Sequence, residues 1–288
     1  RVKDEGLIDP AYLAVFLASP LGQSQIKRLM SGISIFNIAK SELEKIKIII
    51  GKNAEYVALK YRKVQGFLAR FNVQYAYIEE SLMKTIVMYE TIKEKSFSFK
   101  IRISQVKKED TLDPEFFKIC DNVKNSILLG DIVEVKSGIE VGTASYRLNG
   151  RPFIRVGNIT PCFLVNKDQK YISQELYDLY KNKYEPRLND IILTKDGTPG
   201  MALVINESSK SIISSGMVRL VLKNKNFNPY YLALVLNSLI GQVKIKRLTG
   251  GSNIKHLKLS AIPKIEIPVM FNSFQEDIGN SLKDLLDL

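Results

Sequence analysis

Asp9-Pro-Ala-Tyr-Leu-Ala-Val-Phe-Leu-Ala-Ser-Pro-Leu-Gly-Gln-Ser-Gln-Ile-Lys-Arg-Leu29 returns 219 residues later as Asn228-Pro-Tyr-Tyr-Leu-Ala-Leu-Val-Leu-Asn-Ser-Leu-Ile-Gly-Gln-Val-Lys-Ile-Lys-Arg-Leu248. The register continues without a gap to Ile48 and Ile267, with 18 identities in 40 positions. Pro10/Pro229, Tyr12/Tyr231, Gly22/Gly241, Gln23/Gln242 and Gly32/Gly251 are among them. Shared helix composition alone is the competing explanation, but it does not require an ungapped register. An internal repeat sets the architecture before any single motif does.

The second copy follows about a hundred residues of strand-rich sequence, from Ile127 to Asn226, whereas the first follows eight. The expected layout is therefore the end of one domain, a spacer and a complete second domain. The chain opens on Arg1 rather than Met, so it is expected to be a piece of something longer or a processed product.

The spacer is Glu55–Ile92. Apolar residues fall at Val64, Leu68, Phe71, Tyr75, Ile78, Leu82, Tyr89 and Ile92, with Thr85 breaking the series. Spacings that alternate four and three make a 3.5-residue period, the signature of a coiled-coil seam. At 1.5 Å per residue, 38 residues of helix reach about 57 Å. Gly66 and Asn72 are places where it could kink, and two shorter helices on a globular core are the alternative. Phe274, Ile278, Leu282 and Leu285 begin a similar stripe, which makes the last stretch a candidate partner for the spacer.

Phe97, Phe99, Ile101 and Ile103 alternate with polar residues as a half-buried strand, and a polar loop through Lys107–Asp113 follows. Further strands are predicted at Ile132–Val135, Pro152–Val156, Asp190–Thr194, Met201–Ile205 and Ser211–Leu222. One helix is predicted over Ser173–Tyr184, with Ser173 as its cap, and another from Pro229 to Leu248. The fold class is α+β: a strand-rich domain with few helices plus a long coiled-coil-like spacer. The expected boundaries are 1–52, 53–94, 95–270 and 271–288.

The chain has 288 residues with a net charge of +12, 45% hydrophobic and 25% charged, a globular composition with a basic bias. Such a balance favours a polyanionic partner, nucleic acid before membrane. No apolar run reaches a membrane span, no signal peptide is evident, and two cysteines point to no disulfide framework, so a cytoplasmic location is expected. A single histidine, His256, excludes two-histidine metal sites, and no cofactor or metal is expected.

Between Ser208 and Ile265 there is no acidic residue, against Lys210, Arg219, Lys223, Lys225, Lys244, Lys246, Arg247, Lys255, Lys258 and Lys264. A one-sign tract of that length suggests a field aimed at phosphates. Inside it, Arg247-Leu-Thr-Gly-Gly-Ser-Asn253 ends a basic helix in a loop where backbone can approach a polyanion closely. Lys244, Lys246, Arg247, Ser252, Asn253 and Lys255 are the candidate contacts there. Cations followed by a glycine stop also describe an ordinary helix terminus. The turn Leu193-Thr-Lys-Asp-Gly-Thr-Pro-Gly200 displays Lys195, Asp196 and Thr198, and a plain Asp-Gly turn is its alternative. Arg151, Arg155 and Asn158 stand about another strand and carry the side-chain types that read guanine and adenine edges.

The combination of Leu129-Gly-Asp131, Pro152-Phe-Ile-Arg-Val-Gly-Asn-Ile159, Asp190-Ile-Ile-Leu-Thr-Lys-Asp-Gly197 and Ser215-Gly216 resembles a target recognition domain. Tyr231-Leu, Leu236-Asn-Ser238, Gly241-Gln242, Gly250-Gly251 and Ile265-Glu-Ile-Pro268 continue the likeness in order. The family resembled is the DNA specificity subunit of type I restriction-modification systems. The resemblance implies two recognition domains in tandem, each followed by a long helix, with the helices paired antiparallel. It implies binding to double-stranded DNA, with a methyltransferase (modification) subunit and a restriction/translocase subunit as partners, and possible self-association through the spacer helices. Adenine methylation from S-adenosylmethionine would take place on the partner. The body of a first recognition domain is missing before Arg1, so this chain is expected to read one half-site.

Related recognition domains also occur at the C-terminus of fused adenine methyltransferases and restriction enzymes, the alternative reading. An amino-methyltransferase needs an Asn/Asp-Pro-Pro-aromatic turn to hold a flipped base. Asn228-Pro-Tyr-Tyr231 and Asp113-Pro-Glu-Phe116 both lack the second proline, and the first opens the repeated helix. No Gly-x-Gly cofactor loop or Walker lysine turn is placed. His256, replaced by Asn37 in the other copy, is expected at the surface or facing DNA, and the chain is assigned no catalytic residue. Single-stranded nucleic-acid binding and a purely structural scaffold rank lower.

Overall fold

The computed structural model describes residues 8–31, 37–91, 125–223, 226–250 and 255–287. The strand expected around Phe97–Ile103, the polar loop through Lys107–Asp113, and Ser252 and Asn253 lie outside them. The chain divides into two compact units, residues 1–74 and 75–288.

In the first unit, Asp9 caps helix α1 (Pro10–Ala18) by accepting from the Ala11 amide at 2.8 Å, and Pro10 occupies the first turn, where no amide partner is needed. Ser19 ends α1 and caps α2 (Pro20–Leu29), accepting from Gly22 at 3.2 Å. Gly22 is required at that corner, because a Cβ there would stand 2.2 Å from the Phe16 carbonyl oxygen. A short helix α3 (Lys40–Leu43) follows.

The spacer forms helix α4 (Ala54–Thr91), continuous for 38 residues through Gly66 and Asn72. Its apolar stripe is covered unevenly. Phe71, Ile78, Leu82 and Ile86 are buried and Tyr75 is half-buried, whereas Val64 and Leu68 are exposed by 53% and 37%. The apolar period predicts the helix, but at Val64 and Leu68 the described chain covers the stripe only in part.

The second unit is built on a four-stranded antiparallel sheet. Its order is β2 (Val133–Ser137), β9 (Met217–Leu222), β5 (Ile191–Thr194) and β7 (Ala202–Val204). Every residue of β5 is buried, as a central strand with both faces covered requires. Arg219 lies opposite Ile192 and carries its guanidinium to Asp190 at 3.1 Å, an ion pair almost closed to solvent. Burial pushes the Asp190 carboxyl up, while the Arg187 amide and Arg219 draw it back down. Arg219 therefore belongs to the core and not to a cationic face, a correction to its reading within the basic tract.

A second sheet sets β3 (Arg151–Ile154) between antiparallel β4 (Lys170–Ile172) and parallel β8 (Ile212–Ile213). The single strand expected over Ser211–Leu222 is thus two, broken at Ser214–Gly216. Two apolar clusters fill the space around these sheets. Ile154, Ile192, Leu203, Ile213 and Met217 form one, and Phe153, Ile172, Tyr177 and Ile212 the other. Helix α6 (Gln174–Tyr184) is capped by Ser173, as its sequence predicts. A helical turn α5 (Leu129–Ile132) connects β2 to β1 (Ser126–Leu128), which pairs with β12 (Glu266–Pro268).

The long helix expected from Pro229 to Leu248 breaks at Ser238 into α7 (Pro229–Asn237) and α8 (Leu239–Leu248). This is the first unit's corner again. Asn228 caps α7, and a Cβ on Gly241 would meet the Val235 carbonyl oxygen at 2.2 Å. The last helix α9 (Asn272–Leu286) packs on α7. Gly279 lets it close over Asn228, whose amide donates to Glu276 at 3.1 Å. On α9, Ile278, Leu282 and Leu285 are buried.

Candidate nucleic-acid interface

A small three-stranded sheet brings together two groups of candidate residues that lie far apart in sequence. Strand β6 (Asp196–Gly197) pairs with β11 (Lys255–Leu257), and β11 pairs with β10 (Thr249–Gly250), all antiparallel. The Asp-Gly pair is therefore a strand and not the tip of a plain hairpin. Its turn, with Thr198 exposed, sits beside the C-terminal end of α8, where Lys246 and Arg247 are exposed. Cations at a helix C-terminus are favoured by the dipole, so their placement costs the fold little.

Lys195 reaches the Asp196 carboxylate at 2.6 Å, and His256, directly across from Asp196, places Nδ1 at 2.9 Å from its other oxygen. Burial pushes the Asp196 carboxyl up, but the hydrogen bonds with His256 and Lys195 outweigh it and hold the group below its ordinary range. Lys255 faces Gly197 in the same register.

An open cleft of about 400 Å³ adjoins this sheet. Tyr146, Arg155, Val156, Lys167, Glu140 and Ser214 line it. Gly216 joins the two features: a Cβ there would lie 2.9 Å from Val156 and 3.7 Å from the Asp196 carboxylate. The Arg155 guanidinium stands 6.0 Å from the Tyr146 ring and donates to the Asp168 carbonyl at 2.6 Å. Arg151 is held over Tyr177 and donates to Gln174 at 2.6 Å. The Tyr177 phenol is pushed up to about 12 by burial and by its bond to Glu185.

Two candidate contacts have structural roles instead. Asn158 is 1% exposed, and all its polar atoms are used: Nδ2 donates to Val165 and Lys167 carbonyls, and Oδ1 accepts from the Arg155 amide. It pins the loop that carries Lys167 and cannot read a base edge. Lys244 is 7% exposed and paired with Glu266 at 2.5 Å, because it lies on the face of α8 that packs toward β12. Among the described cations of the acid-free tract, Lys210, Lys223, Lys246, Arg247, Lys258 and Lys264 remain exposed. Sequence reading passed over Tyr146 and Lys167 in the cleft and gave His256 no partner. The only signal for His256 was its being the chain's one histidine.

The small sheet thus brings the Asp196–Thr198 turn and a basic helix end together on one frame. The family model described as Type I restriction modification DNA specificity domain matches residues 122–288, more than half of the chain, and the chain belongs to that family. Membership implies recognition of DNA sequence by a non-catalytic component.

Among solved structures, the type-I restriction-modification S subunit from M. genitalium is similar at 18% identity and a TM-score of 0.43, covering 97% of this chain and 68% of that one. The HsdS subunit from Thermoanaerobacter tengcongensis gives 14% and 0.42, covering 99% and 64%. The type IIG restriction endonuclease BpuSI gives 13% and 0.45, covering 63% and 28%. The chain thus spans about two thirds of the length of the first two. No curated protein matches it. Among the described residues no helix is long and apolar enough to cross a membrane, and no cluster of His, Cys, Asp and Glu could hold a metal ion.

Proposed function

We propose that the second unit reads one half-site of a double-stranded DNA target and directs a partner adenine methyltransferase subunit and a restriction/translocase subunit to it. The observation that carries this reading is the meeting of the Lys195–Thr198 turn with the Lys246–Arg247 helix end on one small exposed sheet, inside a chain of a DNA specificity family. Lys246 and Arg247 would hold phosphates and fix register, and the turn and the adjoining cleft with Arg155 and Lys167 would face the groove. Arg151, Ser252, Asn253 and Lys255 stay with this proposed surface. Helix α4 would serve as the spacer between half-sites and as the docking surface for the methyltransferase. Exposed Val64 and Leu68 support pairing with another helix, in a partner or a second copy. The first unit, with its repeated corner, would be the end of a first recognition domain.

Charge reversal of Lys246 and Arg247 tests the interface. Each lost phosphate contact lowers the slope of log affinity against log salt by about one. An unchanged slope removes both residues from it.

A further inference from the structure

We propose that His256 reads a base edge through Nε2, and that Asp196 is the positioning residue that sets whether this nitrogen accepts or donates. The inference rests on the proposed reading of this face as the duplex DNA interface and goes further by assigning the chain's one histidine a specificity role.

The argument is one of hydrogen-bond sense. An ionised carboxylate only accepts. One Asp196 oxygen accepts from Lys195 at 2.6 Å and the other lies 2.9 Å from His256 Nδ1. Facing that oxygen, Nδ1 carries the ring proton, since two lone pairs would otherwise oppose each other. In the neutral ring Nε2 is then a bare acceptor, on a side chain 55% exposed. An acceptor there pairs with the exocyclic amino group of adenine or cytosine. Protonation turns Nε2 into a donor, which suits N7 and O6 of guanine.

The surroundings favour a ligand with acceptor atoms and negative charge. Asp196 is already compensated by Lys195, its neighbour in the chain. The strand on the other side, Thr249–Gly250, brings no titratable group; Lys246 and Arg247 precede it, and Lys258 follows His256. An exposed ion pair between two strands adds little stability by itself, so strand pairing alone gives no reason for a histidine at this position.

The test uses the full chain and a randomised duplex DNA library, selected and sequenced for wild type and each variant under the same conditions. Wild type is expected to prefer adenine or cytosine by about tenfold at one position. His256→Ala should flatten that position and leave the rest of the consensus intact. His256→Gln, which both donates and accepts, should keep hydrogen bonding at that position but relax the choice of base. Asp196→Asn donates to Nδ1 and moves the neutral ring's proton to Nε2, so guanine should be admitted at that position. Thermal unfolding of each variant checks that it folds. A consensus identical in wild type and His256→Ala overturns this inference alone, as does a loss of affinity equal on all sequences. A wild-type chain that binds no duplex DNA overturns the proposed function with it.

Discussion

Tyr231 donates its hydroxyl to the carbonyl oxygen of Pro268 at 3.0 Å, and the same bond recurs 219 residues earlier, from Tyr12 to Ile49 at 2.6 Å. Other contacts keep that offset. Gln23 donates to Leu17 and Gln242 to Leu236, both at 2.8 Å. Gln25 clamps the backbone of Lys47 through both amide atoms, while Lys244, its counterpart, pairs with Glu266, the counterpart of Lys47. The repeated residues thus fix one local design, a helical corner whose far end ties down the segment leading into the next helix. That design accounts for the shared tyrosine, glutamine, serine and corner glycine.

Tyr231→Phe should cost about 1–2 kcal/mol, because it leaves the buried Pro268 carbonyl without its donor. Tyr12→Phe should cost less, since its bond lies at the surface where water substitutes. Urea unfolding of the two variants compares them directly.

Lys244 and Lys246 stand two residues apart on α8 and should separate cleanly. Lys244→Gln should lower stability by about 1 kcal/mol, discounted because Glu266 is half exposed, and leave the salt dependence of DNA binding unchanged. Lys246→Gln should leave stability within about 0.5 kcal/mol and flatten the salt dependence. Unfolding curves and a salt titration on duplex DNA measure both. The opposite assignment would place the interface on the other face of the helix.

The two lysines also mark how far the sequence could be read. The repeat, the long helix and the Ser173 cap were legible because each is local: proline and capping side chains announce helix starts, and a 3.5-residue period needs no knowledge of the partner. The strands around Ile191–Thr194 were legible from their apolar run. Pairing was not. Nothing near Asp196 says that it lies opposite His256, 60 residues away, and nothing near Lys244 says that its charge is met by Glu266 just beyond the acid-free tract. Counting charges along a chain treats every lysine as exposed, and tertiary packing turned Arg219 and Lys244 inward. The break at Ser238 was missed because the helical composition runs on through it, while the signal, Gly241, acts by closeness to a carbonyl and not by propensity.

The Asp190–Arg219 pair should show the asymmetry of a buried ion pair. Asp190→Ala should cost about 3–5 kcal/mol, since it strands the guanidinium at 4% exposure and frees the Arg187 amide that Asp190 also accepts from. Asp190→Ala combined with Arg219→Met should cost less than the single change, because the orphaned charge goes with its partner. A double-mutant cycle in urea checks it, and additive losses would mean that the two side chains stabilise the sheet independently.

Gly279→Ala should loosen α9 from α7, because the new Cβ would lie 2.3 Å from the Asn228 side chain, which holds the α7 cap and Glu276 together. The expected loss is about 1–3 kcal/mol, as for overpacking elsewhere. Thermal unfolding gives the loss, and pairing the change with Asn228→Ala should recover part of it by making room.

Asp196 should contribute to the acid limb of the stability curve in a defined direction. Its carboxyl is held below the ordinary value of 3.8 in the folded chain. The unfolded chain therefore takes up that proton first as pH falls, and the stability it supplies is fully present above that value and is lost on acidification through the folded one. Urea midpoints of wild type measured from about pH 6 down to pH 2.5 should fall more steeply than those of Asp196→Asn. The difference should be confined to the acid end, since the group is ionised in both states near neutrality. Equal slopes for the two proteins would mean that Lys195 and His256 do not hold the carboxylate in solution, and the hydrogen-bond sense assigned to His256 would lose its anchor.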